Sequence, residues 1–154
     1  MRKTPLQIAL LLAALAWVGL IFLAPYSRQS GWPGSGLLYF FFHQICHQLP
    51  ERSFSLAGHP LAVCHRCLGI YLGFAAGLLL VGCRLRIWRA LQRQPRLLIL
   101  FWIPMALDAL LLPNTWWSRF LTGWLAAFPV AFFVQLAMEQ LSASVRGFGK
   151  KARA

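Results

Sequence analysis

Residues 4–27 read TPLQIALLLAALAWVGLIFLAPYS, with Lys3 before them, Arg28 after them and no charge between. A helix needs about 20 apolar residues to cross the ~30 Å hydrocarbon core of a bilayer. Leu6–Ala24 is almost wholly apolar and meets that length, so the stretch predicts a transmembrane helix over 6–24. The opening Met1-Arg2-Lys3 also fits a secretory leader, but the apolar run is long for one and no small-x-small cleavage site follows it. An uncleaved first span is the expectation.

Working outward, the gaps between charges mark three more spans. Residues 67–83 lie between Arg66 and Arg84, residues 97–112 are interrupted only by Asp108, and residues 120–138 lie between Arg119 and Glu139. In the second, Gly69, Gly73 and Gly77 recur every four residues, which places a smooth strip on one helix face where another helix can approach. Pro104 removes a backbone donor from the third span and Pro129 from the fourth. The predicted fold is all-α: a polytopic membrane protein, one domain over 1–154, built as a four-helix transmembrane bundle. The composition agrees, at 59% apolar and 12% charged residues, where a soluble domain carries about 25% charged.

The net charge of +12 sets 15 Lys and Arg against three acids, Glu51, Asp108 and Glu139. In a soluble chain that excess would suggest nucleic acid. Here the cations flank apolar spans, so the lipid bilayer is the expected partner and nucleic acid is not. With the N-terminus inside, the inner segments hold Arg2, Lys3, Arg84, Arg86, Arg89, Arg93, Arg96, Arg146, Lys150, Lys151 and Arg153, and the outer segments hold Arg28, Arg52, Arg66 and Arg119. The positive-inside bias then favours both termini in the cytoplasm of an inner (cell) membrane. The inner loop 84–96 spaces Leu85, Trp88 and Leu91 by three, which suits either a short amphipathic surface helix or a charged loop.

The segment 31–66 falls on the outer side. It opens on the turn-forming Gly31-Trp32-Pro33-Gly34-Ser35-Gly36, continues through an aromatic run too short to span, and predicts a half-helix or interfacial helix from Leu37 to about Gln48. Pro50, Gly58 and Pro60 then predict an irregular loop. Three of the four cysteines (Cys46, Cys64, Cys67) and all four histidines (His43, His47, His59, His65) fall within residues 43–67. Cys83, alone at the end of an apolar run, reads as packed in a helix.

Two chemistries explain such a cluster. Cys64 and Cys67 have the C-x-x-C spacing that lets two thiolates grip one ion from a tight turn, and Cys46 supplies a third. A histidine completes a Cys₃His tetrahedron; His47 is the first candidate and His43, one turn before, the second. That donor set suits zinc better than copper(I) or an iron–sulfur cluster. Alternatively, the outer face is oxidising, and Cys64 and Cys67 form the redox pair of a membrane thiol–disulfide oxidoreductase, with His65 and Arg66 lowering thiol pKa. A third reading makes the cysteines purely structural in a lipid-binding or interaction subunit. Asp108 is the one acid within a span, and an ionisable group in hydrocarbon usually marks a site. With Arg52, Arg66 and Arg119 it defines a polar pocket at the outer side, where guanidinium groups suit an anionic lipid or another small anion. Trp116 and Trp117 fit the interfacial aromatic belt.

The run Cys46-His47-Gln48, Pro50, Arg52-Ser53-Phe54, Gly58, Cys64, Arg66-Cys67, Gly69 and Tyr71, continued more weakly by Pro104, Asp108, Asn114, Arg119, Thr122 and Gly123, resembles the signature of the bacterial membrane family catalogued as domain of unknown function 2085. The resemblance covers roughly residues 37–125. It implies a small multi-helix membrane protein and carries no established activity. The sequence shows no phosphate-binding glycine loop, serine-nucleophile motif or dinucleotide fingerprint, so zinc is the one cofactor it points to.

The distribution of basic residues predicts topology directly. A reporter fused after residue 154 is expected to read as cytoplasmic, and one inserted at Gly34 as external. A cytoplasmic signal from Gly34 would reverse the placement of the cysteine segment.

Overall fold

The computed structural model describes residues 4–80, 86–111 and 115–151. Arg2, Lys3, Cys83, Arg84, Leu85, Leu112, Pro113, Asn114 and Arg153, on which parts of the sequence reading rest, lie outside the described residues, as do the side chains of residues 86–89 and 145–151. Among the described residues there are six α-helices: α1 (Pro5–Gln29), α2 (Ser35–His43), α3 (His65–Leu80), α4 (Arg86–Arg93), α5 (Leu98–Leu110) and α6 (Trp116–Lys151).

Helix α1 starts on a reciprocal cap. Thr4 Oγ1 accepts from the Gln7 backbone N–H at 3.3 Å, and the Gln7 side chain accepts from the Thr4 N–H at 2.8 Å, so two donors left over at the helix start are satisfied. The helix continues five residues beyond the predicted end, through Pro25 to Gln29. Helices α1 and α6, the latter over Trp116–Ser144, are long and apolar enough to cross a membrane. Helix α1 leaves Leu12 60% and Leu23 48% exposed, which suits a lipid-facing helix and not the core helix of a soluble protein. Helices α3 and α5 have 16 and 13 described residues. At ~1.5 Å per residue they rise about 24 and 20 Å, short of the hydrocarbon core. The described helices therefore supply two of the four full-length crossings that the charge gaps predict.

The closest packing is between α3 and α6. A Cβ added at Gly69 would strike the Phe120 carbonyl oxygen, one at Gly73 the Trp124 carbonyl oxygen, and one at Gly77 would stand 2.5 Å from the Phe128 oxygen. The fit is mutual, because a Cβ at Gly123 of α6 would stand 2.5 Å from the Arg66 oxygen. Such backbone proximity supplies many dispersion contacts between the two helices. At the far end from the cysteines, Gln7 Nε2 donates to Glu139 Oε1 at 3.1 Å and Gln135 Nε2 donates to the Leu78 carbonyl at 3.3 Å, joining α1 to α6 and α6 to α3.

The outer segment departs from the expected half-helix plus irregular loop. Helix α2 stops at His43, five residues before the predicted end; the chain turns at Gln44 and Ile45, and Gln48 adopts a φ of 52°. The helix nonetheless presents Leu37 (72% exposed) and Phe40 (66%) outward, as an interfacial helix would. The loop contains a 3₁₀ turn at Pro50–Arg52 and a two-stranded hairpin, β1 (Ser55–Leu56) with β2 (His59–Pro60). Ala57 and Gly58 close it with φ of 54° and 75°, the left-handed pair that matches strand twist in a two-residue turn. In the connection between α3 and α5, α4 realises the helical alternative over the charged loop, and its Leu91 is buried against Phe132.

Gly73→Val is expected to destabilise the protein by about 1–3 kcal/mol, the cost of overpacking a closed contact. Gly19→Ala is the control, because nothing lies within 4 Å of its added Cβ. Thermal unfolding in detergent measures both; equal midpoints would refute the α3–α6 contact.

Candidate metal centre

The sequence Cys64-His65-Arg66-Cys67 sits at the first turn of α3, where each residue is rotated by about 100° from the last. Residues three apart therefore return to one side, and the three kinds of side chain go to three places. Cys64 and Cys67 face the α1–α2 side, where Cys46 follows α2. His65 packs against Phe54 and Trp116 with ring centroids at 4.3 and 6.4 Å. Arg66 reaches α5.

The sulfurs of Cys46, Cys64 and Cys67 all lie within 4.8 Å of one another. Cys46 is 5% exposed and the other two are half-buried. They rest on a core of Ile21, Ala24, Phe42, Leu61 and Val63. The Cys64 backbone N–H donates to Cys46 Sγ at 3.2 Å, so the third sulfur is fixed to the start of the C-x-x-C turn. Cys64 receives side-chain hydrogen bonds from Cys46 and then Cys67, which hold its thiol well below the ordinary range. Its position at the N-terminus of α3 favours a thiolate in the same sense.

A residue that the sequence reading left without a role sets this geometry. Gln48 Nε2 donates to both the Tyr39 and the Ala62 carbonyls at 2.8 Å. It clamps the end of α2 to the strand of chain that leads into Cys64. Tyr39 adds a second tie, its hydroxyl donating to the Pro60 carbonyl at 2.6 Å. The signal available in sequence was only a glutamine beside a cysteine-histidine pair, and nothing local identifies its acceptors.

His47 is exposed and, like His43, stands outside the group of sulfurs. Among the described residues no histidine or carboxylate joins the three sulfurs within that distance. For a tetrahedral zinc with Zn–S of ~2.3 Å the sulfurs would be about 3.8 Å apart, so the three need to close in by no more than about 1 Å. The donor set and spacing fit a thiophilic ion.

The polar residues divide. Arg66 Nη2 donates to Asp108 Oδ2 at 2.7 Å, and Asp108, fully buried, is the one buried residue of α5. A carboxylate shut off from water needs a cation beside it, which accounts for the rotation of α5. Arg119 is half-buried, within electrostatic reach of both Asp108 and His65. Arg52 is exposed on the 3₁₀ turn. Arg119 and His65 line a cavity of about 470 Å³ with Glu51, Ser53, Phe54, Ser55 and Trp116. The Ser53 backbone lies within hydrogen-bond reach of the His65 ring, while the buried Nδ1 itself makes no hydrogen bond among the described residues.

With this geometry in place, comparisons with known proteins agree on one family. The family model described as "Predicted membrane protein (DUF2085)" matches residues 46–133, from the first clustered cysteine into the middle of α6. An uncharacterized protein of Methanocaldococcus jannaschii is 37% identical over 125 residues, which cover 74% of this chain and 80% of the relative. An uncharacterized protein of Methanothermobacter thermautotrophicus is 62% identical over 32 residues, 21% of this chain and 29% of the relative. Both relatives are archaeal, so they support the family and not its restriction to bacteria. No solved structure matches the chain.

The Arg66–Asp108 pair is open to a double-mutant cycle. Arg66→Leu alone strands a buried carboxylate and is expected to cost about 3–5 kcal/mol. Adding Asp108→Leu should recover at least 1 kcal/mol or so of that loss. Additive losses in detergent unfolding would deny the coupling.

Proposed function

The chain belongs to the DUF2085 family of predicted membrane proteins, and from that premise we propose that it is a multi-pass protein of the cell membrane with a zinc site at its extracytoplasmic face. The spans are the four apolar segments of the sequence, with α3 and α5 tilted little and flanked by snorkelling arginines or by local thinning of the bilayer. Both termini are cytoplasmic, in keeping with the bias of basic residues. The observation that carries the metal reading is the convergence of three sulfurs from separate parts of the chain, Cys46 after α2 and Cys64 and Cys67 at the start of α3.

Zinc, when bound, supplies a closed cross-link or a Lewis acid, according to whether its fourth position is filled by protein. The protein's own contribution is positioning. Gln48 and Tyr39 hold the two cysteine-bearing segments together, and the core beneath Cys46 keeps one side of the site dry. The fourth ligand is His47, one residue beyond Cys46, or a solvent molecule. Arg66 directs its charge away from the sulfurs to Asp108, so a zinc dication would offset two of three thiolate charges and leave one negative charge at the site.

One observation favours a second reading. Cys64 is a stabilised thiolate at a helix N-terminus with Cys67 one turn away, the setting in which a C-x-x-C pair exchanges with disulfides. In that reading the protein is a membrane thiol–disulfide oxidoreductase that uses Cys64 and Cys67.

Protein purified without reductant separates the two. The zinc reading expects about one equivalent of metal per chain by elemental analysis, three thiols released by chelation beyond Cys83, and loss of metal in Cys46→Ser. His47→Ala that keeps its zinc assigns the fourth position to solvent. A metal-free preparation with Cys64 and Cys67 oxidised, unchanged by Cys46→Ser, replaces the zinc reading with the redox one.

A further inference from the structure

The cavity beside the cysteine cluster has no part in holding a metal, and its lining is that of a binding site. Its floor is His65, 7% exposed, whose Nδ1 has no hydrogen-bond partner among the described residues. Burying a polar nitrogen without a partner is costly, and the imidazole that carries it lines the cavity. Arg119 brings a guanidinium to the same wall, and Phe54 and Trp116 enclose it edge to face with ring centroids at 5.5 Å. Glu51 stands exposed on the rim with Ser55, Ser53 is buried behind them, and Arg52 takes no part in the lining. Ser53 already donates its hydroxyl to the Leu49 carbonyl at 3.0 Å.

The depth of the cavity identifies the source of the ligand. Trp116 stacks on Trp117 at 3.9 Å at the start of α6, and both are partly exposed. Paired tryptophans at the end of a membrane helix lie at the headgroup level. A space of about 470 Å³ at that level is within the range of small-ligand sites. The charges identify its chemistry. One guanidinium suits a phosphate, which it meets with two parallel hydrogen bonds, and the His65 imidazole is a polar neighbour whose burial opposes a positive charge. The single carboxylate on the rim, next to two aromatic faces, suits an ammonium group. A ligand with net negative charge would leave Glu51 opposed by a like charge.

We propose that this cavity binds the headgroup of an aminophospholipid, with the phosphate between Arg119 and His65 and the ammonium group toward Glu51. The site is independent of the metal: a lipid seated here contacts the outward side of the C-x-x-C turn, through His65, and not the sulfurs.

Native mass spectrometry of the full-length protein released from detergent tests it, with phosphatidylethanolamine and phosphatidylglycerol of matched acyl chains and with soluble phosphoethanolamine as a third arm. Phosphatidylethanolamine is expected to be retained at least roughly tenfold more strongly than phosphatidylglycerol, about the worth of one charge-assisted hydrogen bond. Arg119→Gln should lower retention of both lipids. Glu51→Gln, an exposed substitution that leaves the fold intact, should erase the preference between them. Equal retention of the two lipids by the unaltered protein, unchanged retention in Arg119→Gln, or an unchanged preference in Glu51→Gln overturns the proposal. Binding of soluble phosphoethanolamine without retention of the lipid overturns its membrane source. Zinc content, measured on the same samples, is expected to stay constant in all variants, so failure here and failure of the metal reading are distinguishable.

Discussion

The close approach of α3 to α6 is the constraint on which the cysteine-bearing face depends. Three glycines of α3 and Gly123 of α6 lie where any side chain would strike the partner's backbone. Small residues on both sides let the two backbones approach, and the helices gain from that close contact. That contact fixes the rotation of α3. Once it is fixed, the first turn has no freedom: the cysteines turn to the α1–α2 side, Arg66 turns to α5, and His65 turns to the loop and the start of α6.

Each of those three directions meets a group that requires it. Asp108 is fully buried in a helix that otherwise faces outward, and a lone carboxylate there would be far less stable than one paired at 2.7 Å with Arg66. The two cysteines meet Cys46, brought back from the end of α2 by the turn at Gln44–Gln48 and held by the double hydrogen bond of Gln48. His65 meets the aromatic wall of Phe54 and Trp116. One helical turn thus serves a sulfur cluster, an ion pair and a cavity, because successive residues on a helix point about 100° apart.

The hairpin between Ser55 and Pro60 has a similar positioning role. Its turn at Ala57 and Gly58 reverses the chain within two residues. The Leu61 N–H donates to the Phe54 carbonyl at 2.7 Å, and the Tyr39 hydroxyl to the Pro60 carbonyl at 2.6 Å. The reversal delivers Cys64 beside Cys46 although 18 residues separate them. The same reversal leaves Phe54 and Ser53 on the other side, as part of the cavity with Arg119.

The sequence alone determined the membrane character of this protein and the chemistry of its segment 31–66. Apolar length between charges is a local property, so the helix over Leu6–Ala24, the long final helix, and the concentration of cysteine and histidine in 43–67 were all legible without coordinates. So was the family, because its signature is a pattern of residue types. Only the tertiary structure decided which of those residues meet. Spacing joined Cys64 to Cys67 and offered Cys46, but the histidine expected beside them, His47, is exposed, since α2 ends early and the chain leaves it outside the sulfurs. Of Arg66 and Arg119, the two arginines that the sequence offered to Asp108, the rotation of α3 gave it Arg66. The hairpin, the clamp by Gln48 and the cavity under His65 were invisible in sequence, because hydrogen-bond acceptors on a distant backbone leave no mark on residue type.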